Sequence, residues 1–88
     1  MKIVLSGNLI RYASFEREVE LEARTVSAAL DELVARFPDL RPVVLDGEGQ
    51  LRRVHRLYLN GEVLGTAEGD LALEPNDELG ILTAVAGG

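Results

Sequence analysis

The chain of 88 residues has the length of one domain, and its 47% hydrophobic content is that of a globular protein. A formal net charge of −6 disfavours nucleic acid as a partner, because phosphates repel a negative surface. Cysteine is absent, which excludes disulfides and thiol chemistry. No signal peptide or membrane-length apolar run is recognisable, so we expect a cytoplasmic protein that does not engage a membrane.

The first part of the chain predicts two strands. Residues 2–7 begin with β-branched and apolar side chains, and residues 8–14 are typical of a turn or loop. Between residues 16 and 22, glutamates alternate with Val19 and Leu21, which predicts a half-exposed strand. We interpret the glutamates as its solvated face and not as a metal or acid site. The closeness of the two strands favours an antiparallel hairpin.

Helical spacing replaces this alternation over residues 25–37. Thr25 can accept hydrogen bonds from backbone N–H groups as an N-cap, and Pro38 stops the helix. The apolar positions fall along one stripe: Val26, Leu30, Leu33, Val34 and Phe37. The pattern predicts a helix of about three turns that lies across one face of a sheet.

The second half predicts three more strands. Residues 40–49 are irregular, residues 51–59 hold one or two strands, and Asn60-Gly61 is a strong hairpin signal before the returning residues 62–64. A turn at 75–77 precedes a last strand over 78–83, whose apolar content on both sides indicates a central position.

The single histidine, His55, is interpreted as a surface or strand residue. Zinc requires three or four protein ligands, and the sequence offers no cluster around His55 that would supply them. We therefore predict no metal site.

The predicted order of elements is strand, strand, helix, strand, strand, strand. This order is typical of an α+β domain with one main helix on one face of a mixed sheet. Parallel pairing of the first and last strands at the centre gives the β-grasp, or ubiquitin-like, arrangement. We predict a β-grasp domain over residues 1–83 and a flexible C-terminal Gly-Gly tail over residues 84–88.

The tail is Ala84-Val85-Ala86-Gly87-Gly88, a run of small residues that ends in a free carboxylate. Extended, it spans roughly 17 Å, which is enough to enter the active site of a partner. Glycine has no Cβ and passes a channel too narrow for other residues. Small flexible residues are also common at chain ends without any function.

Three segments resemble the ubiquitin-like sulfur carriers of the ThiS/MoaD family: Tyr58-Leu59-Asn60-Gly61, Asn76-Asp77-Glu78-Leu79, and the run from Ile81 to Gly88. The resemblance covers nearly the whole chain and is nearest to the CysO-type carrier of the cysteine pathway that uses O-phosphoserine. One departure is Thr83, where relatives often carry a proline that would stiffen the exit of the tail. Its absence predicts a freer tail.

The resemblance implies a sulfur carrier protein that is not itself an enzyme. A ThiF/MoeB-like adenylyltransferase/sulfurtransferase would use ATP and Mg²⁺ to adenylate the Gly88 carboxylate, and a sulfur donor would displace AMP to leave a thiocarboxylate. A sulfur-accepting biosynthetic enzyme would then use the sulfur for cysteine, a thiosugar or another sulfur-containing metabolite or cofactor. The chain itself would bind no cofactor, and residues 84–87 would thread into the partner.

The resemblance also implies that Val63 and Leu82 dock on the activating enzyme, because they match outward-facing positions of relatives. An ordinary core position is the other interpretation of both residues. Three further functions share the same tail. They are a ubiquitin-like modifier conjugated to lysines through Gly88, the small subunit of molybdopterin synthase, and a plain interaction module. Ser6-Gly7 disfavour the synthase subunit, which carries bulky aromatics there.

Overall fold

The computed structural model describes residues 1–52, 54–64 and 71–83. These ranges contain, in chain order, β1 (Lys2–Leu5), a 3₁₀ helix (Gly7–Ala13), β2 (Glu18–Glu20), α1 (Val26–Arg36), a second 3₁₀ helix (Pro38–Leu40), α2 (Arg41–Val44), β3 (His55–Leu59), β4 (Glu62–Val63) and β5 (Glu78–Thr83). The described strands form one five-stranded sheet in the order β2-β1-β5-β3-β4. This confirms the predicted α+β, β-grasp fold, whereas the predicted tail over 84–88 lies outside the described residues.

Strand β5 lies at the centre of the sheet, as its apolar content on both sides predicted. It pairs in parallel with β1 and antiparallel with β3, and the last pair of the β3 ladder joins Thr83 to His55. On its other side β1 pairs antiparallel with β2, which confirms the predicted hairpin. Two flanking strands satisfy the backbone polar groups of β5 along most of its length.

Strand β2 is shorter than the strand predicted over residues 16–22 and spans Glu18–Glu20. The alternation is confirmed, since the glutamates are exposed while Val19 and Leu21 are buried. Arg36 Nη1 donates a hydrogen bond to the Glu20 carbonyl at 2.9 Å. This contact occupies a backbone acceptor on the edge strand, where unpaired groups otherwise invite association with another chain.

Helix α1 begins and ends where the sequence predicts. Thr25 Oγ1 accepts a hydrogen bond from the Ala28 backbone N–H at 3.2 Å, and the helix ends at Arg36 before Pro38. The buried residues of its apolar stripe belong to the same hydrophobic core as those of β1 and β5. The largest fully buried side chains are Ile3, Leu9, Leu33, Leu40, Val44, Leu79 and Ile81. Each such burial contributes about 1.5–3 kcal/mol, so these contacts dominate the stability of so small a domain.

Two stretches predicted to be irregular contain short helices instead. Gly7–Ala13 is a 3₁₀ helix, and Pro38–Leu40 leads into α2 at Arg41–Val44. Each buries large side chains, Leu9 in the first and Leu40 in the second. The prediction was wrong because one or two helical turns are too short for a hydrophobic period to show, and tertiary packing stabilises them.

The hairpin turn after β3 is tied to the turn before β5. Asn60 and Gly61 have φ values of 51° and 89°, as a two-residue hairpin turn requires. The Asn60 side chain donates to Asp77 Oδ1 at 3.0 Å and accepts from the Glu78 backbone N–H at 3.0 Å. Asp77 Oδ2 also accepts from the Glu74 backbone N–H at 2.7 Å. Two of the sequence segments that carry the family resemblance thus form one connected unit, at the opposite end of β5 from Thr83.

We expect Asp77→Ala to destabilise the domain and to reduce its sensitivity to acid. The Glu74 N–H, and after it the Asn60 amide, hold the pKa of Asp77 below its ordinary value of 3.8. A folded-state pKa below the unfolded one stabilises the protein above the unfolded pKa, and this contribution is lost as pH falls through the folded pKa. Urea unfolding at neutral pH and at stepwise lower pH below about 4 measures both effects.

The control for this variant is Asp31→Ala, which removes one carboxylate from the exposed side of α1. The variant Asp77→Ala should lose less stability between neutral and acid pH than either the unmodified chain or this control. An identical loss in all three proteins would show that the Asp77 hydrogen bonds do not stabilise the fold.

Candidate functional site

The sheet has two different faces. Leu79 and Ile81 of β5 point to the core under α1, while Gly80 and Leu82 between and after them point the other way. Residues paired across a ladder share a face. The face turned away from α1, the open face, therefore carries Val4, Arg56, Tyr58, Val63, Gly80 and Leu82.

Four residues of the open face form a row across the strands. Val4 pairs with Gly80, Gly80 with Tyr58, and Tyr58 with Val63. Gly80 has no side chain, so the surface is lower in the middle of this row. A Cβ placed on Gly80 would lie 3.7 Å from Tyr58 Cβ, which is an ordinary van der Waals distance. Leu82 stands two residues further along β5, opposite Arg56. The result is an apolar surface that continues toward the end of the strand from which the C-terminus leaves.

Both predicted docking residues lie on this surface. Val63 is 61% exposed and Leu82 is 44% exposed, so the alternative that they are ordinary core residues is wrong. Their docking role stays a prediction. Sequence reasoning missed Val4, Tyr58 and Gly80 as members of the surface. The alternation of Tyr58 with its leucine neighbours was the available signal, but only the pairing register shows which residues share the row.

The opposite end of the open face is charged. Lys2 Nζ lies 3.2 Å from Glu18 Oε1 and 3.6 Å from Glu78 Oε1. The hydrogen bond to Glu18 raises the pKa of Lys2 above its ordinary 10.5, with Glu78 adding to the effect. Such exposed pairs stabilise a fold little. Lys2 is the single lysine of the sequence.

His55 is buried, 4% exposed, and not the surface residue that was one of the two predicted placements. It begins β3, and its ring reaches into the interior toward α2. Nε2 lies 2.8 Å from the Val43 carbonyl, and Nδ1 lies 3.0 Å from Thr83 Oγ1. Because a carbonyl oxygen only accepts, the neutral ring carries its proton on Nε2, and Nδ1 accepts from the Thr83 hydroxyl.

Thr83 has a side-chain partner that the sequence did not indicate, because its hydroxyl lies 3.0 Å from His55 Nδ1. The expectation of a freer tail falls on residues 84–88, outside the described residues, and stays a prediction. Thr83 is also the last residue of β5. The predicted covalent site Gly88 and the predicted threading residues Ala84, Val85, Ala86 and Gly87 lie outside the described residues. The structure thus defines the point from which they start.

Within residues 1–52, 54–64 and 71–83, no group of three His, Cys, Asp or Glu side chains is arranged to hold a metal ion. Among the helices of those residues, none combines the length and apolar character needed to cross a bilayer.

Comparison with known proteins decides the family. The model of the ThiS family matches residues 3–88. The chain belongs to the ThiS family. Comparison with curated proteins gave no match. The ThiS-family assignment agrees with the sequence resemblance and makes the protein a ubiquitin-fold carrier or modifier. ThiS-family carriers are small substrate proteins rather than catalysts.

Solved structures of several relatives share the fold over nearly their whole length. SAMP1 from Haloferax volcanii is 32% identical, with a TM-score of 0.85 and coverage of 100% of this chain and 98% of that one. The small archaeal modifier protein 1 from Methanosarcina acetivorans is 29% identical, with a TM-score of 0.87 and coverages of 99% and 94%. A chain in the crystal structure of the Amycolatopsis orientalis BexX/CysO complex is 27% identical, with a TM-score of 0.84 and coverages of 99% and 98%.

Proposed function

We propose that this ThiS-family protein is a sulfur carrier whose Gly88 carboxylate is converted to a thiocarboxylate. The observation that carries the proposal is that the family match extends through residue 88 and so includes the terminal Gly-Gly. The described domain ends at Thr83, and the five remaining residues reach roughly 17 Å when extended. That length is enough to bring Gly88 to a catalytic centre while the domain stays outside.

Activation is required because a carboxylate is a poor acyl donor. A ThiF/MoeB-like activating enzyme would join the Gly88 carboxylate to the α-phosphate of ATP and release pyrophosphate. A sulfur donor would then attack the acyl carbon, the carbon–oxygen bond to AMP would break, and AMP would leave with the electron pair. The product has one carboxylate oxygen replaced by sulfur. ATP and Mg²⁺ belong to the partner in this scheme, and the dependence on ATP argues for a cytoplasmic location.

The open face supports a docking role in this scheme. Leu82, Tyr58 and Val63 offer contiguous apolar area beside the exit of the chain, and apolar area surrounded by polar residues is typical of interaction sites. We infer that the activating enzyme binds there, and that the same face then serves a sulfur-accepting biosynthetic enzyme. The A. orientalis structure, a BexX/CysO complex, supports binding to a partner protein for this chain as well.

A second candidate function is that of a protein modifier joined to target lysines through Gly88. The 32% identity to SAMP1, a small archaeal modifier protein, favours it. Both functions start with the same adenylate and differ in the nucleophile that receives the acyl group. The sequence has one lysine, Lys2, so chains built through this protein's own lysines would have a single possible site.

The test is the intact mass of the full chain after incubation with ATP, Mg²⁺, sulfide and the activating enzyme. We expect the mass change of one oxygen replaced by one sulfur, located on Gly88 by fragmentation. A chain that lacks Gly88 is the control and should stay unmodified. Sulfur at another residue, or none, would contradict the sulfur-carrier proposal. A series of conjugates with lysine-containing proteins, formed without thiocarboxylate, would favour the modifier function instead.

A further inference from the structure

We propose that His55 and Thr83 are positioning residues that fix the point at which the C-terminal tail leaves the sheet. This inference rests on the proposed function, because it assigns to the pair the placement of Gly88 in the partner's active site. The observation behind it is the side-chain hydrogen bond between the two residues at the last rung of the β3–β5 ladder.

His55 is the single buried polar or charged side chain in the part of the chain that the structure describes. Burying an imidazole is costly unless its nitrogens are satisfied, and here both are. Nε2 lies 2.8 Å from the Val43 carbonyl of α2, so the ring plane has little freedom. The ring therefore presents Nδ1 to the Thr83 hydroxyl from a fixed support.

Among the described residues, the end of β5 is paired on one side only, and Thr83 therefore needs this support. The β1 ladder stops where Leu5 faces Ile81, and the last described bond on that side runs from Ser6 Oγ to the Ile81 carbonyl at 3.2 Å. Beyond that point β5 has β3 as its described neighbour. Strand ends with one neighbour fray more easily than central segments. The hydroxyl bond adds a side-chain connection at this end, and proline would stiffen the same position covalently by fixing φ.

A fixed starting point affects catalysis more than docking. The residues after Thr83 carry Gly88 to the reacting atoms, and rates fall steeply when a reacting group is displaced by about 1 Å. Loosening Thr83 spreads Gly88 over more positions in the bound complex, which lowers the fraction that reacts. Binding of the open face is separate from this effect. Loss of the bond should therefore lower kcat and leave KM for the carrier nearly unchanged.

The first test compares Thr83→Val with Thr83→Ser in ATP–pyrophosphate exchange by the activating enzyme. Valine keeps the branched shape and loses the hydroxyl, whereas serine keeps the hydroxyl. We expect kcat to fall about three- to tenfold for Thr83→Val with KM within about twofold, and serine to restore most of the rate. An unchanged kcat for Thr83→Val would overturn the inference.

Thr83→Val leaves Nδ1 of His55 buried without a donor, which itself destabilises the fold. The double variant His55→Val/Thr83→Val removes both partners of the side-chain pair, and it also leaves the Val43 carbonyl without its donor, so it should melt below the unmodified protein. At a temperature where it is folded, it should still show the lowered kcat. A double variant that is folded and has normal kcat would show that the pair serves the fold alone.

A measurement on the isolated chain separates this inference from the proposed function. ¹⁵N relaxation should show a more mobile Ala84 amide in Thr83→Val than in the unmodified protein, and Thr83→Ser should resemble the unmodified protein. Equal mobility in all three would overturn the positioning role even if exchange activity is normal. If the unmodified chain supports no exchange at all, the proposed function fails, while the relaxation result still decides whether His55 holds the exit.

Discussion

Gly87→Phe is expected to lower ATP–pyrophosphate exchange by at least about a hundredfold and to leave the thermal melt of the domain unchanged. Described secondary structure ends at Thr83, so the fold should not depend on a residue four positions further along the chain. In the activating enzyme, however, the phenyl ring needs space that a channel fitted to glycine lacks. Even a displacement of about 1 Å at the reacting carboxylate costs about a hundredfold in rate.

The backbone adds to this expected effect. A bound tail that needs a positive φ at position 87 accommodates glycine freely, whereas another L-residue pays roughly 1–2 kcal/mol for the same conformation. Docking through the open face should survive in the variant, because Leu82 and Val63 are unchanged. A competition assay in which Gly87→Phe inhibits exchange by the unmodified chain measures that retained docking.

Gly47→Phe is the matched control for the same substitution. Gly47 is exposed, a Cβ built on it meets nothing within 4 Å, and it follows α2 in a surface loop. Exchange with this variant should be normal. If Gly87→Phe also supports normal exchange, the tail does not pass a narrow channel, and the threading hypothesis is wrong.

The elements that the sequence predicted correctly are those with a clear local signal. Three local patterns correspond to observed elements. The alternation between Glu16 and Glu22 corresponds to β2, the helical spacing over 25–37 to α1, and the Asn60-Gly61 turn to the β3–β4 hairpin. The central position of β5 followed from its apolar residues on both sides. These features are set by neighbours in the chain, which is why reasoning from short segments identifies them.

What the sequence did not predict depends on residues far apart in the chain. Burial of His55 requires Val43, 12 positions away, and Thr83, 28 positions away, to supply the two partners of its ring. The row that joins Tyr58 to Gly80 depends on the register of β3 and β5. A shift of one residue in this register would turn the side chains of one strand to the opposite face of the sheet. The family resemblance suggested Val63 and Leu82 for docking, but their exposure became known only from the sheet pairing and the position of α1.

Leu82→Glu is expected to weaken binding to the activating enzyme strongly while the fold persists. Leu82 is 44% exposed on the open face, so a carboxylate there stays hydrated in the free protein. In the complex it would be buried against apolar partner surface, and loss of such an anchor typically costs at least about 2 kcal/mol, or roughly thirtyfold in affinity. The expected result is a large rise in KM for the carrier in exchange, with kcat at saturation affected less.

Two control substitutions make this result specific. Ile81→Glu, one residue earlier on β5, places the same charge in the core, where Ile81 is 1% exposed. Burying a lone carboxylate costs several kcal/mol, which is a large part of the roughly 5–15 kcal/mol that stabilises a small domain, so this variant should unfold. Leu71→Glu adds the charge at a residue that is 37% exposed. The Leu71 carbonyl accepts a hydrogen bond from the backbone N–H of Val26 in the first turn of α1, away from the open face, so this variant should leave KM unchanged. A melt of Leu82→Glu as low as that of Ile81→Glu, or a KM no higher than that of Leu71→Glu, would rule out Leu82 as a docking residue.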